Sequence, residues 1–280
     1  MAKSELAKQY LDLLKKSLLN ELYVENEARL LHTYLSVLEN RPLEFNHYFG
    51  LNFTQIRPDI LDSLHDNKLN GNYTLLQYTA ADGAMRAASE LRNITELSHT
   101  MVGRKRLENV QLCAETVLAD NIKGDFIETG IWRGGSCIFM RGILSAYGVT
   151  DRTIWAADSF EGVPPPTWPQ DKGFDISASV LPVLAVTLDE VRELFLRYGL
   201  LDENVKFLKG WFKDTLPAAP IERLAILRLD GDLYESTMDA LIALYPKVSA
   251  GGFVIVDDYG LPTCRAAIED FRLAQGITDP

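Results

Sequence analysis

Short, nearly uninterrupted apolar runs alternate with helical patterns in the second half of the chain. The runs that we interpret as strands cover residues 125–129, 153–157, 205–208, 224–229 and 253–256. Such runs are typical of parallel strands that are buried on both faces. Helical patterns cover residues 137–144, 188–198, 238–245 and 264–275, and Gly251-Gly252 is expected to turn the chain into the last strand. The alternation predicts an α/β fold with a parallel, doubly wound sheet.

A helical cap is predicted before this core. Apolar residues at helical spacing predict an amphipathic helix over residues 4–22: Ala7, Leu11, Leu14, Leu18 and Leu22. Further helices are expected at 25–38, 59–64, 79–91 and 104–118, with a turn-rich segment at 39–75. We therefore divide the chain into an N-terminal cap or lid, residues 1–103, and a core, residues 104–280. The cap is also a candidate oligomerisation region.

A turn rich in glycine joins the first core strand to a buried helix. Gly130, Gly134 and Gly135 lie in this turn, and Ser136 opens the helix. Backbone N–H groups at such a helix start form a frequent ligand site. The same glycines are also compatible with close packing alone.

Glu128 indicates which ligand suits this turn. It lies near the end of the first core strand, and we expect its carboxylate to point into the same space. A carboxylate repels phosphate, which disfavours a dinucleotide. S-Adenosylmethionine carries an ammonium group and hydroxyls, so we predict that this cofactor binds here.

Other residues are candidates for the rest of the cofactor. Asp158 ends the second strand, where a carboxylate can accept both ribose hydroxyls, although a helix cap or a solvated loop acid is the alternative. Asp214 either caps the following turn or faces the adenine, and Met101 lines a cofactor pocket or belongs to the core. The candidate cofactor contacts are Met101, Glu128, Thr129, Gly130, Gly134, Ser136, Asp158, Ser159 and Asp214.

Three carboxylates follow the last two core strands. Asp230 ends the fourth strand, and Asp257 and Asp258 end the fifth. Since the carboxyl ends of parallel strands share one edge of the sheet, we expect these side chains to converge. They would repel each other without a cation between them, and a divalent ion with oxygen ligands, Mg²⁺ by default, suits them. Alternatively, Asp257 or Asp258 caps the next turn.

Several residues are candidates for the chemistry itself. A bound Mg²⁺ would lower the pKa of an acceptor hydroxyl, and a neighbouring carboxylate would act as base. His99, in the loop before the core, is a candidate additional base or substrate contact, or has only a structural hydrogen-bonding role. Asp230-Gly-Asp232 is similar to the DxD motif of metal-dependent glycosyltransferases, which gives an alternative function.

Composition narrows the classes of partner. The net charge is −11 and the chain has no basic region, which argues against nucleic-acid binding. No apolar run reaches the length of a membrane span, and the N-terminus has no signal-peptide core. The three cysteines lack CxxC spacing, so we expect buried free thiols in a reducing compartment and predict a cytoplasmic location.

Five motifs in order resemble the macrocin O-methyltransferase family, whose members methylate sugar hydroxyls of antibiotics. They are Phe126–Ser136, Ala157–Gly162, Gly210–Thr215, Leu227–Tyr234 and Val256–Tyr259. The resemblance covers about residues 97–278, with a short further match at Tyr10–Lys15. It departs from the family in a longer segment at 38–92, and in the final β-hairpin, which we expect to be absent.

The resemblance implies a Rossmann-like class I methyltransferase sheet and an O-methyltransferase that depends on S-adenosylmethionine and Mg²⁺. By it, Asp230, Asp257 and Asp258 are metal ligands and Asp230 is also the general base. Glu128, Gly130 and Asp158 are implied as cofactor contacts. The loop from His99 to Met101 is implied to close over cofactor and substrate.

We therefore predict methyl transfer to a Mg²⁺-activated hydroxyl of a natural-product intermediate, a sugar or a polyketide or peptide, in secondary metabolism. The partner is a hydroxylated small molecule, without nucleic acid or membrane. We expect a homodimer or higher oligomer, or a part of a larger synthase. A non-catalytic assembly-line domain is the remaining alternative.

Overall fold

The computed structural model describes residues 5–23, 40, 42, 77–79, 85–87 and 98–278. The helices predicted at 25–38 and 59–64, and nearly all of the turn-rich segment, lie outside these residues. The chain divides into two compact units, residues 12–107 and residues 1–11 together with 108–280. The division after residue 103 stays a prediction.

The amphipathic helix predicted over residues 4–22 is confirmed, but it ends at Leu18, and Leu22 lies half-buried beyond it. It spans Glu5–Leu18 and is followed by a 3₁₀ turn, Glu21–Tyr23. The apolar stripe is buried at Ala7, Leu11, Leu14 and Leu18. Spacing within one helix therefore identified the buried face correctly.

The helix predicted at 79–91 is wrong where the structure describes it. Strand β1 (Gln77–Thr79) pairs antiparallel with strand β2 (Met85–Ala87). The sequence between them contains Asp82-Gly83, a pair that favours tight hairpin turns. The helical spacing of apolar residues in this segment conflicts with this turn signal. Strand formation depends on contacts with a partner strand, which periodicity within one segment does not report.

A five-stranded parallel sheet lies in the larger unit. Its strands are β3 (Asp125–Thr129), β4 (Ile154–Asp158), β5 (Val205–Lys209), β6 (Leu224–Leu229) and β7 (Val248–Val256). They are ordered β5-β4-β3-β6-β7, and all neighbouring pairs are parallel. The predicted α/β class and its five core strands are confirmed. Because the strand order reverses between β3 and β6, the crevice at their carboxyl ends is the expected ligand site.

Helices connect and cover these strands. They span Gly103–Ala119, Gly135–Ala146, Leu188–Arg197, Phe212–Thr215, Tyr234–Leu244 and Pro262–Gln275. The sheet is most deeply buried at β6, where all six residues are inaccessible to solvent or nearly so. The three cysteines are free and buried, as the sequence predicts. Among the described residues, none of the helices combines the length and the apolarity that crossing a membrane requires.

Strand β7 differs from the prediction at its start. It begins at Val248, and Gly251 and Gly252, which were expected to form a turn before it, lie inside it. The register between β6 and β7 shifts between Leu224 and Ile226. A Cβ on Gly252 would lie 2.9 Å from the carbonyl oxygen of Ala225. Glycine here marks a bulge where two backbones approach closely, so the turn interpretation was wrong.

Gly130 follows β3 and fits tightly against the end of β6. Its φ is +84°, and a Cβ there would lie 1.7 Å from the carbonyl oxygen of Asp230. The Gly130 N–H donates to the Ala157 carbonyl, and the Asp230 N–H donates to the Thr129 carbonyl, each at 2.9 Å. The backbone hydrogen bonds of the sheet thus continue up to this point. Only glycine allows both the positive φ and the close approach of the Asp230 carbonyl.

Gly130→Ala is expected to lower the free energy of unfolding by about 3 kcal/mol, because the added methyl group combines a positive φ with a collision against the β6 backbone. Urea unfolding measures the loss. Gly148→Ala is the control, since Gly148 also has a positive φ of +65° but no atom within 4 Å of the added Cβ. The control should lose only about 1 kcal/mol. Equal losses would show that the contact with Asp230 is not limiting.

Candidate active site

The glycine turn after β3 leads into a buried helix. Gly134 precedes the helix Gly135–Ala146 with a φ of +78°, and its N–H donates to the Ile131 carbonyl at 2.7 Å. A Cβ on Gly134 would lie 2.9 Å from Cγ1 of Val191. Packing therefore accounts for this glycine without a ligand. As at any helix start, the first N–H groups lack acceptors within the helix, and Ser136 lies buried among them.

Asp158 ties the glycine turn to the loop after β4. Its Oδ2 accepts from the Ile131 N–H at 2.8 Å, and its Oδ1 accepts from the Phe160 N–H at 2.7 Å. Burial raises the pKa of this carboxyl, and the backbone donors oppose that shift. Each carboxylate oxygen has two lone pairs, so these bonds leave acceptor capacity for a ligand hydroxyl.

The other predicted cofactor contacts of this unit have varied surroundings. The Ser159 hydroxyl donates to the Gly162 carbonyl at 2.7 Å and is buried in its own loop. Thr129 is buried, and its hydroxyl donates to the Arg228 carbonyl at 3.4 Å. Asp214 is exposed in the short helix Phe212–Thr215. Their contacts with a cofactor stay predictions.

The carboxylates after β6 and β7 converge. One oxygen from each of Asp230, Asp257 and Asp258 lies within 4.8 Å of the other two. The Asp232 N–H donates to Oδ2 of Asp258 at 3.1 Å, which joins the two strand-end loops. Asp232 has a φ of +57°, a conformation that costs energy in a residue with a side chain.

Burial and mutual repulsion raise the pKa values of several aspartates in and beside this cluster. Burial first, and then the charge of Asp257, raises the pKa of Asp230 well above its ordinary value, although Arg228 opposes the shift. Burial together with neighbouring aspartates raises the pKa of Asp232 and of Asp258 to about 7. A carboxyl group shifted in this direction takes up a proton more readily near neutral pH.

Arg228 lies beneath the cluster, and the sequence motifs by themselves assign it no role. Its side chain has no access to solvent. One terminal nitrogen donates to Asp230 at 2.6 Å and to Glu128, and the other donates to Asp257. A signal was available, since Arg228 is the one charged residue in the otherwise apolar run of residues 224–229. A charge in a buried strand requires a partner of opposite charge.

Glu128 differs from its sequence-based description. Its side chain is almost fully buried, and its carboxylate accepts from Arg228 and from Sγ of Cys137, the latter at 3.0 Å. Burial raises the pKa of Glu128, and Arg228 opposes that shift. The carboxylate is therefore held in an ion pair rather than free in the crevice. Its contact with a cofactor stays a prediction.

His99 and Met101 belong to the other unit, residues 12–107. The His99 N–H donates to the Leu18 carbonyl at 2.8 Å, and both His99 and Met101 are half-buried. Within the same unit, the Arg104 guanidinium pairs with Glu21 at 2.5 Å and with Asp12 at 3.0 Å. The predicted roles of His99 as a base or substrate contact and of Met101 as a cofactor contact stay predictions.

The residues of the cluster suit a divalent cation. Five carboxylates lie around or next to one guanidinium: Glu128, Asp230, Asp232, Asp257 and Asp258. Their formal negative charge exceeds the single internal positive charge. All the available donors are oxygen atoms, which Mg²⁺ prefers. Asp230, Asp257 and Asp258 have the proximity needed to hold such an ion.

Comparison with known proteins identifies the family. The family model for macrocin O-methyltransferase, TylF, matches residues 7–280. A tetracenomycin 4'-O-methyltransferase of Streptomyces olivaceus is 56% identical over an alignment of 197 residues, and the match covers 68% of this chain and 73% of that protein. The demethyldecarbamoylnovobiocin O-methyltransferase of Streptomyces niveus is also 56% identical, over 65% of this chain and 71% of its own length.

Solved structures agree with this assignment. The O-methyltransferase NovP is 41% identical, with a TM-score of 0.72, and the match covers 98% of this chain and 93% of that chain. The calicheamicin methyltransferase CalS11 is 18% identical with a TM-score of 0.53, over 80% of this chain and 84% of its own, and shares the fold. The glycosyltransferase alternative is not favoured. The chain belongs to the macrocin O-methyltransferase family and is an S-adenosylmethionine-dependent O-methyltransferase.

Proposed function

We propose that this enzyme methylates a sugar hydroxyl of an antibiotic intermediate, with Mg²⁺ held by Asp230, Asp257 and Asp258. The observation that carries the proposal is the convergence of these carboxylates beside the switch point of the sheet. The glycine turn after β3 opens at the same edge of the sheet. A cofactor site and an acidic site therefore adjoin, as transfer between two bound molecules requires.

The names of relatives support a sugar as the acceptor. The tetracenomycin enzyme acts at the 4' position of a compound that bears a dimethoxyrhamnosyl group. A third relative, the mycinamicin III 3''-O-methyltransferase of Micromonospora griseorubida, is 54% identical over 65% of this chain and 74% of its own length. The shared class is an antibiotic intermediate, and a glycosyl hydroxyl is the acceptor that we infer for this chain.

The chain's own residues supply positioning and proton transfer. Asp230 would accept the proton of the acceptor hydroxyl as that oxygen attacks the sulfonium methyl group, and the sulfur would keep the electron pair and leave as S-adenosylhomocysteine. The glycine turn, with Ser136, Asp158 and Ser159, would orient the cofactor. When bound, Mg²⁺ would supply positive charge that lowers the pKa of the hydroxyl. Fixing both reactants in one geometry would provide much of the acceleration.

Other sequence-based predictions accompany this proposal. A cytoplasmic location, self-association through the N-terminal region, and incorporation into a larger synthase stay predictions. Asp214, Met101 and Thr129 remain candidate cofactor contacts, and His99 remains a candidate second base.

Cofactor class separates the proposal from its alternatives. Titration calorimetry is expected to detect binding of S-adenosylhomocysteine and none of UDP-sugars. Incubation with S-adenosylmethionine and a glycosylated, unmethylated antibiotic precursor should then add one methyl group by mass spectrometry, whereas the aglycone should stay unchanged. Cofactor binding without transfer to any hydroxylated acceptor would favour a non-catalytic domain. Methylation of the aglycone would overturn the sugar assignment.

Metal removal tests the acidic cluster. Dialysis against EDTA should abolish turnover, and added Mg²⁺ should restore it, since three carboxylates lose their shared cation. Asp258→Asn should raise the Mg²⁺ concentration that gives half-maximal activity by roughly tenfold or more. Asp189→Asn is the control, because Asp189 is an exposed acid in the helix Leu188–Arg197. Turnover that is insensitive to EDTA would eliminate the metal proposal.

Asp230→Asn should lower kcat by about 10²–10⁴-fold, because the variant keeps the shape of the side chain but cannot accept the proton. Binding of S-adenosylhomocysteine and the circular dichroism spectrum should match those of the wild type. A variant that folds, binds the cofactor and keeps its full kcat would exclude Asp230 as the base.

A further inference from the structure

Arg228 is an internal cation beneath the acidic cluster. It lies in β6, where its guanidinium has no access to solvent and is bonded to Glu128, Asp230 and Asp257. These acids come from the ends of three different strands. A buried arginine stays protonated under all ordinary conditions, so the charge is permanent.

The sheet register explains how one side chain reaches three strands. Arg228 is the direct neighbour of Glu128 across the β3–β6 pair. Asp230 lies two residues further along, on the same side of the chain, since side chains alternate. Asp257 follows β7 directly after Val256, which pairs with Leu229. One guanidinium group can therefore reach Glu128 on β3, Asp230 after its own strand and Asp257 after β7.

Arg228 bonds to one specific oxygen of Asp230 and one of Asp257. Arg228 donates to Oδ2 of Asp230 and to Oδ1 of Asp257, so one named oxygen of each side chain is fixed from the core side. Fixing one oxygen sets the plane of the carboxylate and thus the direction of the other oxygen. Asp258 has no such bond to Arg228 among the described contacts, and it is held instead by the backbone of Asp232.

Electrostatics favours this arrangement. Several carboxylates within a few ångströms repel each other strongly in a buried site. A divalent cation offsets this repulsion only while it is bound. Arg228 offsets part of it at all times through its bonds to Asp230 and Asp257.

We propose that Arg228 is a positioning residue, which holds Asp230 and Asp257 in place before the metal binds and orients the Asp230 carboxylate. In this proposal Glu128 anchors Arg228 and does not contact the cofactor. This inference rests on the proposed function, in which Mg²⁺ and Asp230 take part. It assigns the buried ion pair a task in the reaction, beyond its contribution to the fold.

The test compares Arg228→Met with the wild type in EDTA and in Mg²⁺. In EDTA, the melting temperature of the variant should fall by roughly 10 °C, because buried carboxylates lose their permanent counter-charge. Mg²⁺ should then raise the melting temperature of the variant more than that of the wild type, because the bound ion replaces the missing charge. In saturating Mg²⁺ the kcat of the variant should stay roughly 100-fold below that of the wild type, since Asp230 is no longer held in the correct orientation.

Arg152→Met is the matched control. Arg152 is also a buried arginine, but it donates to the carbonyl oxygens of Ile122 and Gly124 near the start of β4, at the opposite end of the sheet. This variant should lose stability, yet its Mg²⁺-induced shift and its kcat should equal those of the wild type. Equal Mg²⁺-induced shifts in Arg228→Met and Arg152→Met would overturn the preassembly of the metal site.

Arg228→Lys keeps the positive charge but loses the planar guanidinium that bonds to several carboxylates at once. This variant provides the test if Arg228→Met does not fold. Its melting temperature in EDTA should lie closer to the wild type, while its kcat should stay at least roughly tenfold low. A wild-type kcat in this variant would refute the positioning role.

Glu128→Gln separates the two roles of Glu128. Its affinity for S-adenosylhomocysteine should stay within roughly threefold of the wild type, while kcat falls because Arg228 loses its anchor. A loss of affinity of tenfold or more would show a cofactor contact and reject the anchoring role. If the wild type itself shows no response to Mg²⁺ or EDTA, the proposed metal function fails, and this result is distinct from any difference between variants.

Discussion

The bond network of Arg228 constrains much of the structure around the site. A guanidinium without solvent access is bonded to carboxylates from β3, from the loop after β6 and from the loop after β7. Leaving any one of these charges buried and unpaired would cost several kcal/mol. The three strands can therefore not slide relative to one another without breaking ion pairs. The register of the sheet and the geometry of the acidic cluster depend on the same interaction.

The glycine turn after β3 and the acidic side of the crevice are joined through the backbone. Gly130 lies so close to the carbonyl of Asp230 that no side chain fits between them. Asp158 binds N–H groups of the glycine turn and of the next loop, and so fixes the turn from the other side. A displacement of the glycine turn would thus also displace the start of the Asp230–Asp232 loop. This coupling suits a reaction in which a methyl group and a proton move at one place.

The family assignment and the local geometry answer different questions. The match to macrocin O-methyltransferases establishes the activity and the cofactor class. It does not explain why Glu128, in the glycine motif, is bonded to an arginine in the core rather than free in the crevice. The bond between Glu128 and Arg228 follows from their direct pairing across β3 and β6. A motif reports which residues occur together, whereas the register reports which of them touch.

The sequence by itself determined the α/β class, the five core strands, the N-terminal helix and the acids that converge, because these depend on periodicity and on strand ends. It failed at Met85–Ala87 and at Gly251-Gly252, where pairing with another strand decides the conformation. Only the tertiary structure decided that Arg228 bonds to Glu128 and that Gly130 lies against the Asp230 carbonyl. These contacts join residues about a hundred positions apart, and no local pattern encodes which distant atoms the fold brings within a hydrogen bond.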